Sequence, residues 1–250
     1  MDLSIKEIRK SQEGFTLVEL AVVMIIIGLL IGGILKGQEL ITNARVTSTA
    51  SQLEAMGAAY NGFRDKFNAL PGDMSTARAR IAACGVQVAS CFDGTGDGVI
   101  GASVGVAGAV AANTAAGEPA NFFGQLLAAD FITGMDGTNT AVFGQAFPTA
   151  PIGGGFLVGD IRAGAPTGFA AGEMRPAPHV TISGTTAAVA VGTGVLTPQQ
   201  AANIDRRLDD GLASSGSVIG QNTALACRTA AADDAYANDE DQVCVIGYRL

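Results

Sequence analysis

The chain has 250 residues, 23 acidic against 15 basic, and a formal net charge of −8. Lys and Arg never cluster beyond pairs, so nucleic-acid binding lacks electrostatic support. Glycine reaches 34 residues, aromatics make up only 6% and Trp is absent, which disfavours a dense aromatic core and favours a loop-rich fold of Ala, Gly and Val.

Residues 1–14 form a short charged leader in which Lys6, Arg9 and Lys10 balance Asp2, Glu7 and Glu13. Phe15 to Leu35 follows, 21 residues of which fourteen are Phe, Leu, Ile or Val. As a helix this stretch is about 31 Å long, matching a hydrocarbon core of about 30 Å. Its apolar side chains favour insertion by about 4 to 8 kcal/mol. Glu19 opposes insertion by less than the roughly 2.5 to 3.5 kcal/mol of a mid-membrane charge, because it lies near the end of the span. The segment inserts in spite of Glu19, and an ionisable group in a membrane helix calls for a partner. A free α-amine at Phe15, created by a cut after Gly14, supplies one. Within one helix it lies about 6 Å from the carboxylate, so a neighbouring copy shifted along the axis aligns the two. Three cations precede the span and Lys36 alone follows closely, which keeps the N-terminus cytoplasmic.

Gly14-Phe15-Thr16-Leu17-Val18-Glu19-Leu20 and the apolar run after it resemble the processing site of type IV pilins and type II secretion pseudopilins. The resemblance is close over residues 10 to about 42. It implies cleavage between Gly14 and Phe15 by a prepilin peptidase, N-methylation of Phe15, and Glu19 as the residue that guides assembly. It also implies an α+β fold, with a long N-terminal helix packed on a small antiparallel-sheet head. Two rival readings fit less well. A secretory signal peptide needs a shorter apolar core and a small-residue cleavage site, for which Thr47 to Ala50 is poor. An uncleaved single-pass anchor leaves Glu19 unexplained. The family's common helix proline is missing, with Lys36 standing near its place. Gly28 with Gly32, and Gly33 with Gly37, instead offer small residues four apart, which let helix backbones approach.

Beyond the membrane half (15–35), residues 36–69 read as an amphipathic stem. Leu53, Met56, Tyr60, Phe63 and Phe67 share one face, and Leu70-Pro71-Gly72-Asp73 ends it. Residues 70–250 form the head. Ala82 to Ala120 reads as loop, with 101–117 a low-complexity surface insertion. Asn121 to Phe131 reads as a short buried helix. Gly155 to Ile161, His179 to Ser183 and Ala187 to Val191 read as strands. Thr197 caps a helix that opens at Pro198 and ends by Gly211. Cys244 to Leu250 is a terminal strand. Leu70-Pro71-Gly72-Asp73, the acidic glycine turn and Ile204-Asp205-x-x-Leu208-Asp209-Asp210-Gly211 also look like a recurring subset of prepilin-like proteins.

Four cysteines allow three pairings. Cys84–Cys91 and Cys227–Cys244 close the shortest loops, and the compartment beyond the inner membrane is oxidising. No Cys-x-x-Cys occurs and His179 is the only histidine, so a Cys/His zinc site has no basis. Asp93-x-Thr95-x-Asp97-Gly98-x-Ile100 has the spacing of the first half of an EF-hand loop, which makes calcium the one candidate cofactor. The twelfth position is Val104, so a closing carboxylate would have to come from Glu118 or Asp73. The alternative is an Asp/Gly turn that holds no metal. Asp233, Asp234, Asp239, Glu240 and Asp241 form an acidic loop. It resembles the C-terminal calcium region of major pseudopilins, and its plainer reading is a solvated loop. No Gly-x-Ser-x-Gly, P-loop or dinucleotide fingerprint appears, so the chain reads as no enzyme.

The expected protein is a structural subunit of a type IV pilus or a type II secretion pseudopilus. It spans the bacterial inner membrane once with its head in the periplasm, then moves to a pilus or the cell surface. Its partners are copies of itself, other pilins, the inner-membrane assembly machinery and the prepilin peptidase. The alternatives are a minor tip subunit or adhesin that binds a ligand through its head, and a membrane-anchored periplasmic protein.

Overall fold

The computed structural model describes residues 14–105, 117–164, 168–169, 172–186, 193–221, 227–228, 234–238, 240–241 and 243–250. The readings of the leader before Gly14, of 106–116 in the low-complexity tract, of a strand at Ala187–Val191, and of Asp233 and Asp239 lie outside these residues. The chain divides into two compact units, Met1–Asn43 and Ala44–Leu250.

Helix α1 spans Leu17–Phe67. In the first unit its apolar side chains are exposed all round, from Leu17 and Val18 to Leu40 and Ile41. It contains a window of membrane-spanning length with a mean hydropathy of 2.7, none of it buried. Such a surface is stable only against lipid or other apolar helices.

In the second unit the same helix buries one stripe: Val46, Ala50, Leu53, Met56, Tyr60, Phe63 and Phe67. These positions recur three or four apart, the period that puts side chains on one helix face. Asn68 ends the helix by adopting the left-handed region at φ 52°, where its amide still donates to the Arg64 carbonyl at 2.8 Å. Asn tolerates this conformation better than most residues. The stop therefore comes two residues before Leu70-Pro71-Gly72-Asp73.

Short helix α2 covers Ala77–Arg80, and α3 covers Glu118–Ala128. Helix α3 starts three residues before the Asn121 expected from the sequence, because Pro119 lies in its first turn, where a missing N–H costs nothing. It ends before Phe131, as Asp130 turns left-handed at φ 62°.

Strands β1 (Gly155–Asp160), β2 (Pro178–Ser183), β3 (Val218–Gly220) and β4 (Ile246–Arg249) form one antiparallel sheet in the order β1-β2-β4-β3. Phe156 pairs with Ile182 and Val180 with Tyr248. His179 is buried on β2, and its Nδ1 lies 2.8 Å from the Ala177 carbonyl oxygen. Burial holds its pKa down to about 4, so the ring is neutral at physiological pH. Helix α4 covers Pro198–Leu208, and Thr197 and Gln200 form a reciprocal capping box at its start.

The core is more aromatic than the composition suggests. Tyr60 stacks on Phe122 at 6.3 Å, and Phe122, Phe123 and Phe147 meet edge to face at 5.0 and 5.9 Å. The 101–117 tract begins in the core and not on the surface: Ile100 and Val104 are fully buried, and the Asp160 amide donates to the Ala102 carbonyl at 2.7 Å. Cys84–Cys91 and Cys227–Cys244 are joined by disulfides.

Helix α3 crosses the disulfide loop at Gly124, where a Cβ would sit 2.3 Å from the Ser90 carbonyl oxygen. Gly124→Ala should therefore destabilise the protein. In an open helix the same change would stabilise by about 1 kcal/mol. Thermal melting of the variant, with a lower Tm expected, checks this.

Candidate functional site

Gly14 and Phe15 are exposed, Phe15 at 82%. Thr16 stands at the helix N-cap, one residue before α1 begins. The backbone amide and hydroxyl of Thr16 both donate to Glu19 Oε2, at 2.9 and 2.8 Å. The Glu19 amide donates back to the Thr16 hydroxyl at 3.3 Å. This is a capping box, Thr-x-x-Glu, which satisfies backbone donors that a helix start leaves orphaned. A plain membrane helix thus does have a use for Glu19, one that the spacing of Thr16 and Glu19 already encoded. Both bonds to the carboxylate fall on Oε2. Farther along, a Cβ at Gly28, Gly32, Gly33 or Gly37 would meet nothing, so these glycines open flat strips on α1.

In the 93–101 segment the loop amides converge on two carboxylates from outside the Asp93–Ile100 motif, those of Asp73 and Glu118. Gly72, at φ 90° and without room for a Cβ beneath the Glu118 carbonyl, turns the chain so that Asp73 points into the loop. Asp73 Oδ1 accepts from the amides of Gly96 (2.7 Å) and Asp97 (2.9 Å), and Oδ2 accepts from the amide of Gly98 (2.9 Å). Glu118, in the first turn of α3, accepts from the Thr95 amide and hydroxyl on Oε1 and from the Gly101 amide on Oε2. The carboxylates of Asp73, Asp97 and Glu118 offer oxygens within 4.8 Å of one another.

Asp93 lies apart from that group and accepts from the Arg78 amide at 2.8 Å. Asp97 Oδ1 accepts from the Val99 amide at 2.9 Å. Converging N–H groups favour an anion and repel a cation. Here the anion is the protein's own Asp73, with Glu118 beside it. Burial raises the Glu118 pKa, its bonds to Thr95 and Gly101 pull it back, and the nearby Asp73 charge adds to the rise.

A second carboxylate group closes α4. Asp205 is buried and accepts from the Tyr236 hydroxyl at 2.9 Å and the Gly211 amide at 3.3 Å. Asp209 accepts from the Ser217 amide, and Asp210 from the Leu212 amide at 2.8 Å and the Ser215 hydroxyl at 2.6 Å. Burial lifts the Asp205 pKa to about 7, and Asp210 and Asp209 add to it.

Residues 9–35 match the family model of the prokaryotic N-terminal methylation motif. This is the signature of type IV pilins and pseudopilins. Neither a curated protein nor a solved structure matches the chain. The motif covers Gly14, Phe15, Glu19, Gly28 and Gly32, and leaves the carboxylate-held loops of the second unit outside it.

Two substitutions test these loops. Asp73→Ala should cost about 3 kcal/mol, because it strips charge-assisted acceptors from three amides. Added formate should restore part of the Tm by filling the vacated cradle, and millimolar calcium should leave the Tm of the unaltered protein unchanged. Asp205 carries a pH signature of known sign. Its folded pKa lies above the ordinary 3.8, so its contribution is complete below about pH 4 and is lost as pH rises to about 7. Asp205→Asn should remove that loss: the stability of the variant relative to the parent rises between pH 4 and 7 and is flat above, as read by melting across that range.

Proposed function

We propose that this chain is a structural filament subunit of the type IV pilus or type II secretion pseudopilus kind. In this reading a prepilin peptidase cuts between Gly14 and Phe15, and Phe15 becomes N-methylated. Residues 15–35 anchor the chain in the bacterial inner membrane with the head in the periplasm, until the assembly machinery adds it to a filament of like subunits.

The observation that carries the reading is the methylation motif at residues 9–35, which from Leu17 onward lies on a helix whose apolar side chains are exposed all round. Lipid covers those side chains before assembly, and sister helices cover them afterwards. The glycine strips at Gly28, Gly32, Gly33 and Gly37 suit that exchange, because backbones can approach where no Cβ intervenes.

Glu19 serves both stages. In the lone helix its Oε2 is held by Thr16, which lowers the cost of keeping a carboxylate at the membrane edge. In the filament its Oε1 takes the Phe15 amine of a neighbouring copy. The low dielectric between packed apolar helices makes that pair favourable and an unpaired Glu19 costly.

The head works without catalysis in this reading, and the 93–101 loop is closed by Asp73 and Glu118 in place of calcium. The support is the direction of the loop amides, which point at those carboxylates.

Mass spectrometry of the native polypeptide should find methylated Phe15 as its first residue. Glu19→Gln and Glu19→Ala separate the two stages. Gln still suits a capping box but carries no charge. Both variants should insert and be processed, and both should lose filament incorporation. Normal filaments from Glu19→Gln would discard the charge pairing while leaving the cap in place.

A further inference from the structure

Two surfaces of the second unit carry opposite charge. The first is a cleft of about 610 Å³ beside the C-terminal end of α1, with Arg64 and Arg80 at its exposed edge and Leu70 and Met74 among its lining. Both guanidinium groups are held in advance: Arg64 lies over the Tyr60 ring at 5.4 Å, and Arg80 lies over Phe67 at 5.5 Å and donates to the Phe67 carbonyl at 2.9 Å. The ion pairs among the described residues are Lys36–Glu39, Arg162–Asp160 and Arg228–Glu173, so none of these cations is spent on a carboxylate. Of the acidic groups at the cleft, Asp73 is already sealed under the 96–98 amides, and Asp65 is the exposed one.

The second surface is the loop after α4. Leu212 projects from it with 43% of its surface exposed. Asp210 and Asp234, both exposed, flank it. The Ala213 amide donates to the Asp234 carbonyl at 2.7 Å, Ser214 donates to the Asp234 carboxylate, and Ser215 donates to Asp210. The loop is therefore fixed before any partner arrives. Arg206 and Arg207 are nearby on α4, and Arg206 is turned onto the Asn203 side chain at 3.0 Å.

We propose that the 209–217 loop of one copy docks in the Arg64/Arg80 cleft of a second copy, with Leu212 entering toward Leu70 and Met74 and with Asp210 and Asp234 meeting the two guanidinium groups. The proposal rests on the filament reading for the presence of a second copy. A chain with net charge −8 repels its own kind at long range, so contact between copies has to be made where cations are exposed and unspent. Cations already ordered by ring contacts lose less freedom on binding. The two surfaces differ, so the contact is heterologous. Repeated from copy to copy, it builds an open helical filament unless the rotation closes a ring.

The test uses the full-length protein in its own membrane. A photoreactive residue replaces the exposed Asp65, and a mixture of heavy- and light-isotope copies distinguishes contacts between chains from those within one. Cross-links from position 65 to residues 205–217 of a different copy are expected. Cross-links to nucleic acid, to another protein, or only within the same chain overturn the proposal. In parallel, Arg64→Glu with Arg80→Glu, and Asp210→Arg with Asp234→Arg, should each lower the assembled fraction about tenfold or more, and the four changes together should restore most of it. Assembly of the first pair at the parent level overturns the docking. The N-terminal mass is read in every sample. A retained leader would sink the filament reading, and the cross-link map would still decide the docking.

Discussion

One constraint governs this molecule: among the described residues, the apolar surface of α1 between Leu17 and Ile41 has no cover within its own unit. A helix greasy on every side is not a stable object in water. It needs a solvent of lipid or of other helices, and nothing else about the chain can be settled without providing one. The same continuous helix then changes character. From Val46 onward the apolar positions thin to a single stripe at helical spacing, and the other faces turn polar. The helix is thus written for two environments. Its lower part is specified only by being apolar and small at chosen places, whereas its upper part is specified residue by residue through packing.

Carboxylates do much of the remaining positioning. Glu19 caps α1, Asp73 and Glu118 hold the glycine loop, and Asp205 ties α4 to Tyr236. Each of these four accepts hydrogen bonds from backbone or hydroxyl donors. In a protein short of basic residues this is a consistent solution. Buried carboxylates are tolerable when several donors converge on them, and glycine-rich loops supply unobstructed amides. The loops at 93–101 and 209–217 are for this reason fixed in place.

The elements that follow period or capping rules were legible in the sequence. The stem stripe from Leu53 to Phe67, the Thr197 start of α4 and the strands near Gly155 and His179 all obey local rules that operate regardless of tertiary context. Strand β3 was not legible, because three residues, Val218 to Gly220, give no periodicity to read. The aromatic core was hidden for a similar reason. Few aromatics suffice when Tyr60, Phe122, Phe123 and Phe147 converge from distant positions, and convergence is a property of the fold alone. The 93–101 loop shows another limit: its spacing does not name its hydrogen-bond partners. Asp93, Thr95 and Asp97 sit at the right intervals, yet a spacing cannot say which way the backbone amides face. That direction was decided by Asp73 and Glu118, 20 residues before and 25 residues after Asp93 along the chain.

In the proposed assembly Glu19 holds two roles without conflict. A capping carboxylate and an assembly carboxylate compete only if both need the same oxygen, and here the two Thr16 bonds fall on Oε2. Under the proposed assembly the helix start is paired at every stage: by Thr16 while the chain is alone in the bilayer, and additionally by an incoming amine when copies meet. An uncapped carboxylate would have to stay hydrated at the membrane edge, and dehydrating it would then oppose assembly. With the cap in place part of that cost is already met inside the monomer. In that proposed sequence the step into a packed helical core changes the partner count of Glu19 upward, never through a state in which it has none.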